Sequence, residues 1–270
     1  MSGFSAEWLS LREPYDRAAR NPAVLDAVGT HFAAQDAITV VDLACGTGAT
    51  LRAIGAQLPP RQNWRLVDND LSLLARASAL GRPPQVTVSA RPVDLARDLE
   101  LALDGPADLV TASALLDLVS AQWLDRLIVE AAARRLPVYA ALTYDGRATF
   151  EPGVPFDAEL LRAFNAHQRT DKGFGPALGP TAPARAVERF EAVGYSVVQG
   201  RSDWVLGAGD RDIQDAVVGN VADIGAVSTR RTEREIAEWL GQRRTHLAQG
   251  QSRLTIGHVD IFARPATGRR

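Results

Sequence analysis

The sequence predicts an α/β fold, a doubly wound and mostly parallel seven-stranded sheet with helices on both faces. An apolar run from Ile38 to Leu43 is typical of a strand buried on both faces, and a glycine turn and a helical pattern follow it. Strand and helix patterns then alternate up to Asp145, which favours parallel strands joined by right-handed crossovers. A last run, Leu254 to Ala263, alternates well enough for a sheet strand.

The composition is that of a globular protein. The 270 residues, 46% of them hydrophobic, suffice for one large domain or one domain with a cap. Thirty basic and thirty-two acidic residues give a net charge of −2, so no nucleic-acid or anionic membrane partner is expected. Cys45 is the single cysteine, no apolar stretch approaches the length of a membrane span, and no signal-peptide core is visible. We expect a soluble, cytoplasmic protein.

The glycine turn after the first strand predicts a ligand site. Gly46 and Gly48 let the backbone approach a ligand closely, and the helix that begins at Ala49 offers free N–H groups. Leu51 stands where a dinucleotide fingerprint needs a third small residue, which weakens a nicotinamide-dependent oxidoreductase as an interpretation. A phosphate-binding lysine loop is absent as well.

Two acids suggest which ligand binds. Asp42, inside the end of the first strand, places a carboxylate where an ammonium could be held. Asp68, at the end of the second strand, stands where acids bind ribose hydroxyls in nucleotide-binding α/β folds. An acid for an ammonium and an acid for a ribose suggest S-adenosylmethionine.

Four segments in order resemble the class I S-adenosylmethionine-dependent methyltransferases. They are VVDLACGTG at 40–48, LVDNDLSLLARA at 66–77, PVDLARDL at 92–99 and DLVTASALLDLVS at 108–120. The resemblance covers roughly residues 36–145 by motif, and it implies a Rossmann-like fold whose last strand is antiparallel. It also implies a set of cofactor-binding residues: Arg20, Asp42, Ala44, Gly46, Gly48, Asp68, Asn69, Asp94, Leu95, Ser113 and Leu115.

The helices and strands around these motifs are predicted from the apolar periodicity and from the positions of proline and glycine. The first 35 residues are predicted to form two or three short helices, interrupted at Pro14 and at Asn21-Pro22. The resemblance implies that this segment covers the cofactor. The predicted strands are 38–43, 64–68, 85–89, 108–112, 136–143, 195–199 or on to 206, and 254–263. The predicted helices are 49–58, 71–80, 120–135, 157–168, 183–193, 210–227 and 232–248, and residues 267–270 are expected to fray.

Some candidate roles stay open between two interpretations. By the resemblance, Arg12 or Arg20 reaches the cofactor carboxylate, unless this segment is a solvated helix face. Asp94 either accepts a hydrogen bond from the adenine amino group, as the resemblance implies, or caps the helix that follows. Asp117 either faces the site or lies near a helix N-terminus. The N/D-P-P-Y/F sequence of DNA amino-methyltransferases is absent, which argues against base methylation.

The domain organisation predicted is a core with two insertions. The methyltransferase core comprises residues 36–146 and 182–266, preceded by the N-terminal segment 1–35. Residues 147–181, rich in loops and in polar and aromatic side chains, are a substrate-side cap or a solvated, mobile loop. The helices of 209–250 depart from the minimal fold, and they either cap the substrate site or form a dimer surface.

The predicted chemistry is methyl transfer by in-line displacement. If the acceptor is a hydroxyl or an ammonium, a base is needed, and His167 is the first candidate and Tyr144 the second. No metal is expected, because the other histidines show no ligand spacing, and His258 is interpreted as a satisfied sheet residue.

The predicted function is a methyltransferase that acts on an O, N or C nucleophile of a small molecule, with a possible homodimer. The alternative is a non-catalytic S-adenosylmethionine or S-adenosylhomocysteine-binding protein, a sensor or an assembly subunit. A closed acceptor cavity at the cap would favour the enzyme.

Overall fold

The computed structural model describes residues 4–79, 81 and 83–266. The strands are β1 (Ala37–Leu43), β2 (Arg61–Asp68), β3 (Val86–Pro92), β4 (Leu109–Ser113), β5 (Val138–Glu151), β6 (Tyr195–Arg201), β7 (Trp204–Leu206) and β8 (Arg253–Pro265). The helices are α1 (Ala6–Ala19), α2 (Pro22–Phe32), α3 (Ala49–Ile54), α4 (Leu71–Ala79), α5 (Leu99–Ala102), α6 (Ala121–Ala133), α7 (Asp157–His167), α8 (Ala182–Ala192), α9 (Arg211–Ser228) and α10 (Glu233–Ala248).

The described strands form one mostly parallel sheet, in the order β3-β2-β1-β4-β5-β8-β6. The neighbours from β3 to β5 pair in parallel, whereas β8 is antiparallel to both β5 and β6. The predicted α/β fold, including the antiparallel last strand, is confirmed. The strand count is corrected from seven to eight, because the short β7 pairs with the start of β8.

The fifth strand is much longer than predicted. The prediction ended it at Thr143 and placed a loop-rich cap from residue 147, but β5 continues to Glu151. Its second half pairs with β8, with Ala148 opposite Ile256 and Phe150 opposite Leu254. The partner strand is distant in the chain, so local glycine and proline signals concealed the extension.

Helix boundaries differ at two places. α1 runs through Pro14, so the predicted interruption there was wrong. Ser5 caps its start, and Arg12 and Asp16 form an ion pair across the proline turn, which stabilises the helix where one backbone hydrogen bond is lost. α3 ends at Ile54, before the predicted residue 58, and a short turn follows. The predicted helix end at Leu80 and the fraying of residues 267–270 lie outside the described residues.

Three hydrophobic cores hold the fold together. Two of them lie on opposite faces of the sheet, one under α6 and α8 and the other under α2, α3 and α4. The third joins α7, α9 and α10 to β7, the second half of β5 and the start of β8. The two insertions therefore pack together in one layer, next to the carboxyl ends of β4 and the first half of β5. Within the described residues no helix has the length and apolarity needed to cross a membrane.

Candidate active site

The glycine loop joins β1 to α3 at the carboxyl edge of the sheet. Ala44, Gly46 and Gly48 all have positive φ angles, of 51°, 52° and 79°. This conformation suits glycine and is unusual for Ala44. A Cβ atom on Gly46 would lie 3.1 Å from Cδ1 of Leu9, so α1 lies directly above the loop. The backbone is thus open towards the space between α1 and the sheet.

Asp42 is fully buried beneath this loop. Its Oδ1 accepts a 2.7 Å hydrogen bond from Thr111 Oγ1, whereas its Oδ2 has no partner among the described residues. Burial raises the pKa of Asp42 to about 7. A buried carboxylate oxygen without a partner is costly, so a donor from a ligand would be stabilised there.

Asp68 holds the loop from the neighbouring strand. Its Oδ2 accepts from the Gly46 N–H at 2.9 Å, and its Oδ1 accepts from the Asp70 N–H at 3.0 Å. A carboxylate offers about four acceptor positions, so two remain for ligand hydroxyls.

The other predicted cofactor residues after β2 and β3 surround the same edge. Asn69 is exposed next to Asp68. Asp94 accepts from the Ala96 N–H at 3.0 Å within the turn that precedes α5, and its carboxylate is also 3.6 Å from Arg97. Leu95 is buried, and its carbonyl accepts from Trp123 Nε1. The predicted capping of the following helix by Asp94 was wrong, because α5 begins only at Leu99 and its N-cap residue is Asp98. The adenine contact of Asp94 stays a prediction.

Arg20 and Ser113 are brought together from distant parts of the chain. Arg20 Nη2 donates to Ser113 Oγ at 3.2 Å, and Nη1 donates to the hydroxyl of Tyr139 at 3.1 Å. Arg20 is buried, and its Nε has no partner among the described residues. Leu115, two residues after Ser113, is buried in the core. Of the two arginines considered, Arg20 is the one beside the carboxyl end of β4.

α1 is tied down over the loop by ionic contacts. Glu13 pairs with Arg52 of α3 through both carboxylate oxygens, at 2.5 and 2.6 Å, and Arg52 also donates to the Thr47 carbonyl at 2.7 Å. These contacts join the N-terminal segment to the glycine loop itself. That this segment covers the cofactor stays a prediction.

A cavity of about 150 Å³ lies beside this region, enclosed by α1, the segment after β4, β5, α7, β7, α9 and β8. We call it the aromatic cavity, because its wall contains Phe4, Trp8, Tyr144, Phe150, Phe164 and Trp204. Ala114, between the predicted cofactor residues Ser113 and Leu115, is part of the same wall. The aromatic cavity and the glycine-loop site are thus neighbours.

A bulge in β5 shapes the wall of the aromatic cavity. The pairing of β5 with β8 shifts register between Ala140 and Thr143, and Leu142 has a φ of 55°. Its N–H donates to the buried carboxylate of Asp260 at 2.8 Å. The bulge brings Leu142 and Tyr144 to the cavity. No local sequence signal marked Asp260 for this role.

Five polar side chains line the aromatic cavity: Arg12, Asp117, Gln168, Asn220 and His258. Arg12 is already paired with Asp16 and lies with its guanidinium carbon 5.1 Å from the centroid of Trp204. Asp117 Oδ1 and His258 Nδ1 are buried without a partner among the described residues. The interpretation of His258 as a satisfied sheet residue missed its place in the cavity wall, which its strand pattern could not reveal.

Of the two predicted catalytic residues, only Tyr144 lies at the aromatic cavity. Its hydroxyl donates to Asn165 Oδ1 at 2.7 Å, and burial raises its pKa further above the usual phenol value. His167 is at the end of α7, with Nδ1 3.3 Å from Lys172 Nζ, and it does not line the cavity. Gln168, the next residue, does. The structure does not place His167 where it could act as the base.

The described residues contain no cluster of three or more His, Cys, Asp or Glu side chains able to hold a metal ion. Cys45 is buried in the glycine loop, and burial raises the pKa of its thiol. The site therefore consists of carboxylates, an arginine, a glycine loop and an aromatic cavity.

The comparisons with known proteins agree with this geometry. Residues 40–136 match a family model described as a methyltransferase domain. The chain is similar to a cyclopropane-fatty-acyl-phospholipid synthase-like protein from Lactobacillus casei ATCC 334, with 13% identity, a TM-score of 0.54, and coverage of 97% of this chain and 95% of that one. It is also similar to the YcgJ protein from Bacillus subtilis, with 12% identity, a TM-score of 0.50, and coverage of 92% and 100%. At these identities the two structures show the fold alone. No curated protein matches the chain.

Proposed function

Since residues 40–136 match a methyltransferase domain, we propose that this chain is an S-adenosylmethionine-dependent methyltransferase and that it methylates a small molecule bound in the aromatic cavity. The proposal rests on Ala114, which belongs both to the cavity wall and to the predicted cofactor site. This residue lines the aromatic cavity and lies within the segment that the family resemblance places beside the methionine part of the cofactor. An acceptor in the cavity would therefore be adjacent to the methyl group.

The residues at the glycine loop fit the cofactor. The unpartnered Oδ2 of Asp42 suits the ammonium of the methionine part, and the free acceptor positions of Asp68 suit the ribose hydroxyls. Arg20, buried with its Nε unpartnered, suits the carboxylate. These three groups carry complementary charge or hydrogen-bonding capacity for S-adenosylmethionine.

When bound, the cofactor supplies an electrophilic methyl group on a positively charged sulfur. The work left to this chain is to position the acceptor, which can contribute roughly 7–11 kcal/mol to lowering a barrier. The aromatic wall and the covering α1 also keep water away, and charge neutralisation is favoured in such an environment. Neither task requires a metal or a covalent intermediate.

The cap insertions support an enzyme over a binding protein. Leu161, Phe164 and Gln168 from the 147–181 segment and Val217 and Asn220 from α9 line the aromatic cavity. A sensor that only bound the cofactor would not need an aromatic compartment beside the methyl position. The nucleophile, whether O, N or C, is left open by this argument.

A cytoplasmic location belongs to this proposal. The only cysteine, Cys45, is a buried free thiol, which suits a reducing compartment. The possible homodimer stays a prediction, which gel filtration with light scattering would decide.

Calorimetric titration with S-adenosylmethionine, S-adenosylhomocysteine and NADH tests the cofactor. We expect the first two to bind and NADH not to bind. Mass spectrometry of small acceptors incubated with protein and methyl-deuterated cofactor then tests transfer. Cofactor binding without transfer to any acceptor of cavity size would support the non-catalytic alternative, and failure of both sulfur ligands to bind would refute the proposal.

A further inference from the structure

The size and wall of the aromatic cavity limit what can occupy it. Its volume is about 150 Å³, and an apolar cavity of that size accepts a molecule such as benzene. The rings of Trp8 and Trp204 lie edge to face with centroids 6.4 Å apart, and Tyr144 and Phe164 form a second such pair at 5.9 Å. An aromatic ring would find the preferred edge and face contacts on this wall. The cavity therefore suits a molecule of about one ring.

Two residues of the wall each have one buried polar atom without a partner among the described residues. The atoms are Nδ1 of His258 and Oδ1 of Asp117, and the two residues are only 6% and 7% exposed. A buried polar atom left without a hydrogen bond destabilises the fold, so such atoms in a cavity wall point to a ligand group. The occupant should carry at least one group that can pair with them.

The charges around the cavity disfavour an anionic occupant. Arg12 is paired with Asp16, and its positive charge acts on both His258 and Asp117. Burial and then Arg12 lower the pKa of His258 to about 3, so its imidazole is neutral. Because Asp16 already neutralises Arg12, the carboxylate of Asp117 would repel an anion. A neutral hydroxyl can donate to a carboxylate and can donate to or accept from a neutral imidazole.

We propose that the acceptor is a hydroxyaromatic molecule of about one ring without an anionic group, and that His258, with Asp117, selects it by hydrogen bonding to its hydroxyl groups. This inference rests on the proposed function, because it names the acceptor class of the same site. His258 is here a specificity-determining residue on β8, where the strand pattern alone indicated only a structural role.

Binding of simple probes tests the inference without catalysis. The probes are catechol, phenol, toluene and benzoate, titrated into the protein saturated with S-adenosylhomocysteine. Trp8 and Trp204 lie in the wall, so tryptophan fluorescence reports occupancy, and calorimetry checks it. We expect phenol and catechol to bind about tenfold or more tightly than toluene, since at least one hydrogen bond is gained. The carboxylate should bind more weakly than phenol.

His258→Phe is the decisive variant, because it keeps an aromatic ring and removes both nitrogens. We expect it to lose most of the preference for phenol over toluene while S-adenosylhomocysteine still binds. His31→Phe is the matched control: His31 packs on Phe32 and Phe262 outside the cavity, so the preference should be unchanged. If His258→Phe does not fold, the inference is tested by the phenol preference of Asp117→Asn and by the ranking of the probes in the wild type.

The outcomes separate the two proposals. Equal binding of toluene and phenol by the wild type, tighter binding of the carboxylate, or an unchanged preference in folded His258→Phe would overturn the acceptor class alone. Failure of S-adenosylhomocysteine to bind would instead overturn the proposed function.

Discussion

Replacing Asp68 by asparagine should weaken the binding of S-adenosylhomocysteine severely. The carboxylate already accepts from the N–H groups of Gly46 and Asp70, one on each oxygen. An amide has a single acceptor oxygen and two donor hydrogens. In Asp68→Asn the two backbone N–H groups compete for that oxygen, and no acceptor is left for the ribose hydroxyls.

The magnitude follows from the two hydrogen bonds that the ribose would lose. A hydrogen bond to a charged group contributes about 1.5–3 kcal/mol, so two contribute about 3–6 kcal/mol. Since about 1.4 kcal/mol corresponds to a tenfold change in affinity, we expect a loss of about 100-fold to 10,000-fold. Disturbance of the Gly46 loop can only add to this loss.

The assay is calorimetric titration of each variant with S-adenosylhomocysteine, with thermal unfolding as a check on folding. Asp70→Asn is the matched control, because Asp70 caps α4 through one oxygen that asparagine retains. We expect its affinity to stay near that of the wild type. An affinity of folded Asp68→Asn within about threefold of the wild type would refute the site assignment, since that is less than one ordinary hydrogen bond.

Two further predictions concern stability. Arg243 is fully buried, donates to Asp157 and to a backbone carbonyl, and lies over the ring of Phe150. Arg243→Met should therefore lower the free energy of unfolding, measured in urea, by about 3–5 kcal/mol. Its neighbour Arg244 pairs with Asp215 on the surface, so Arg244→Met should cost less than about 1 kcal/mol, and equal losses would contradict the burial argument. Burial raises the pKa of Asp117 to about 6, above an unfolded value near 4. Between these pH values the folded state therefore holds a proton that the unfolded state has lost. The free energy of unfolding should fall by roughly 3 kcal/mol as the pH rises through this range. In urea titrations from pH 4 to 7, Asp117→Asn should lack this part of the slope, and an identical pH profile would contradict the assignment.

The parallel half of the fold could be predicted because its signals are local. β1 and β4 are short apolar runs that end in glycine or polar segments, and each is followed by a helical pattern or a tight turn. The extension of β5 could not be predicted, because its residues pair with β8 about a hundred positions later and Gly146 and Pro152 suggest a loop. Pro14 likewise predicted a break that tertiary contacts of α1 override.

The candidate site likewise contains residues that the sequence could predict and residues that it could not. Asp42, Gly46 and Asp68 lie at strand ends and turns, so their positions were visible in the motif order. His258 lies in the middle of a strand, and Trp204 lies on a three-residue strand, so nothing near them in the sequence indicated a cavity. The aromatic cavity is assembled from seven elements of the chain, and only the folded structure brings them together.

The long pairing of β5 with β8 makes the cap inseparable from the catalytic core. Both strands pass without interruption from the central sheet to the floor of the aromatic cavity, where Ala148 and Ile256 face each other across the ladder. Exchanging the cap as a module would therefore cut the sheet. New acceptor preferences in this scaffold are better sought by point substitutions on these two strands, where alternate positions face the cavity, than by loop grafting.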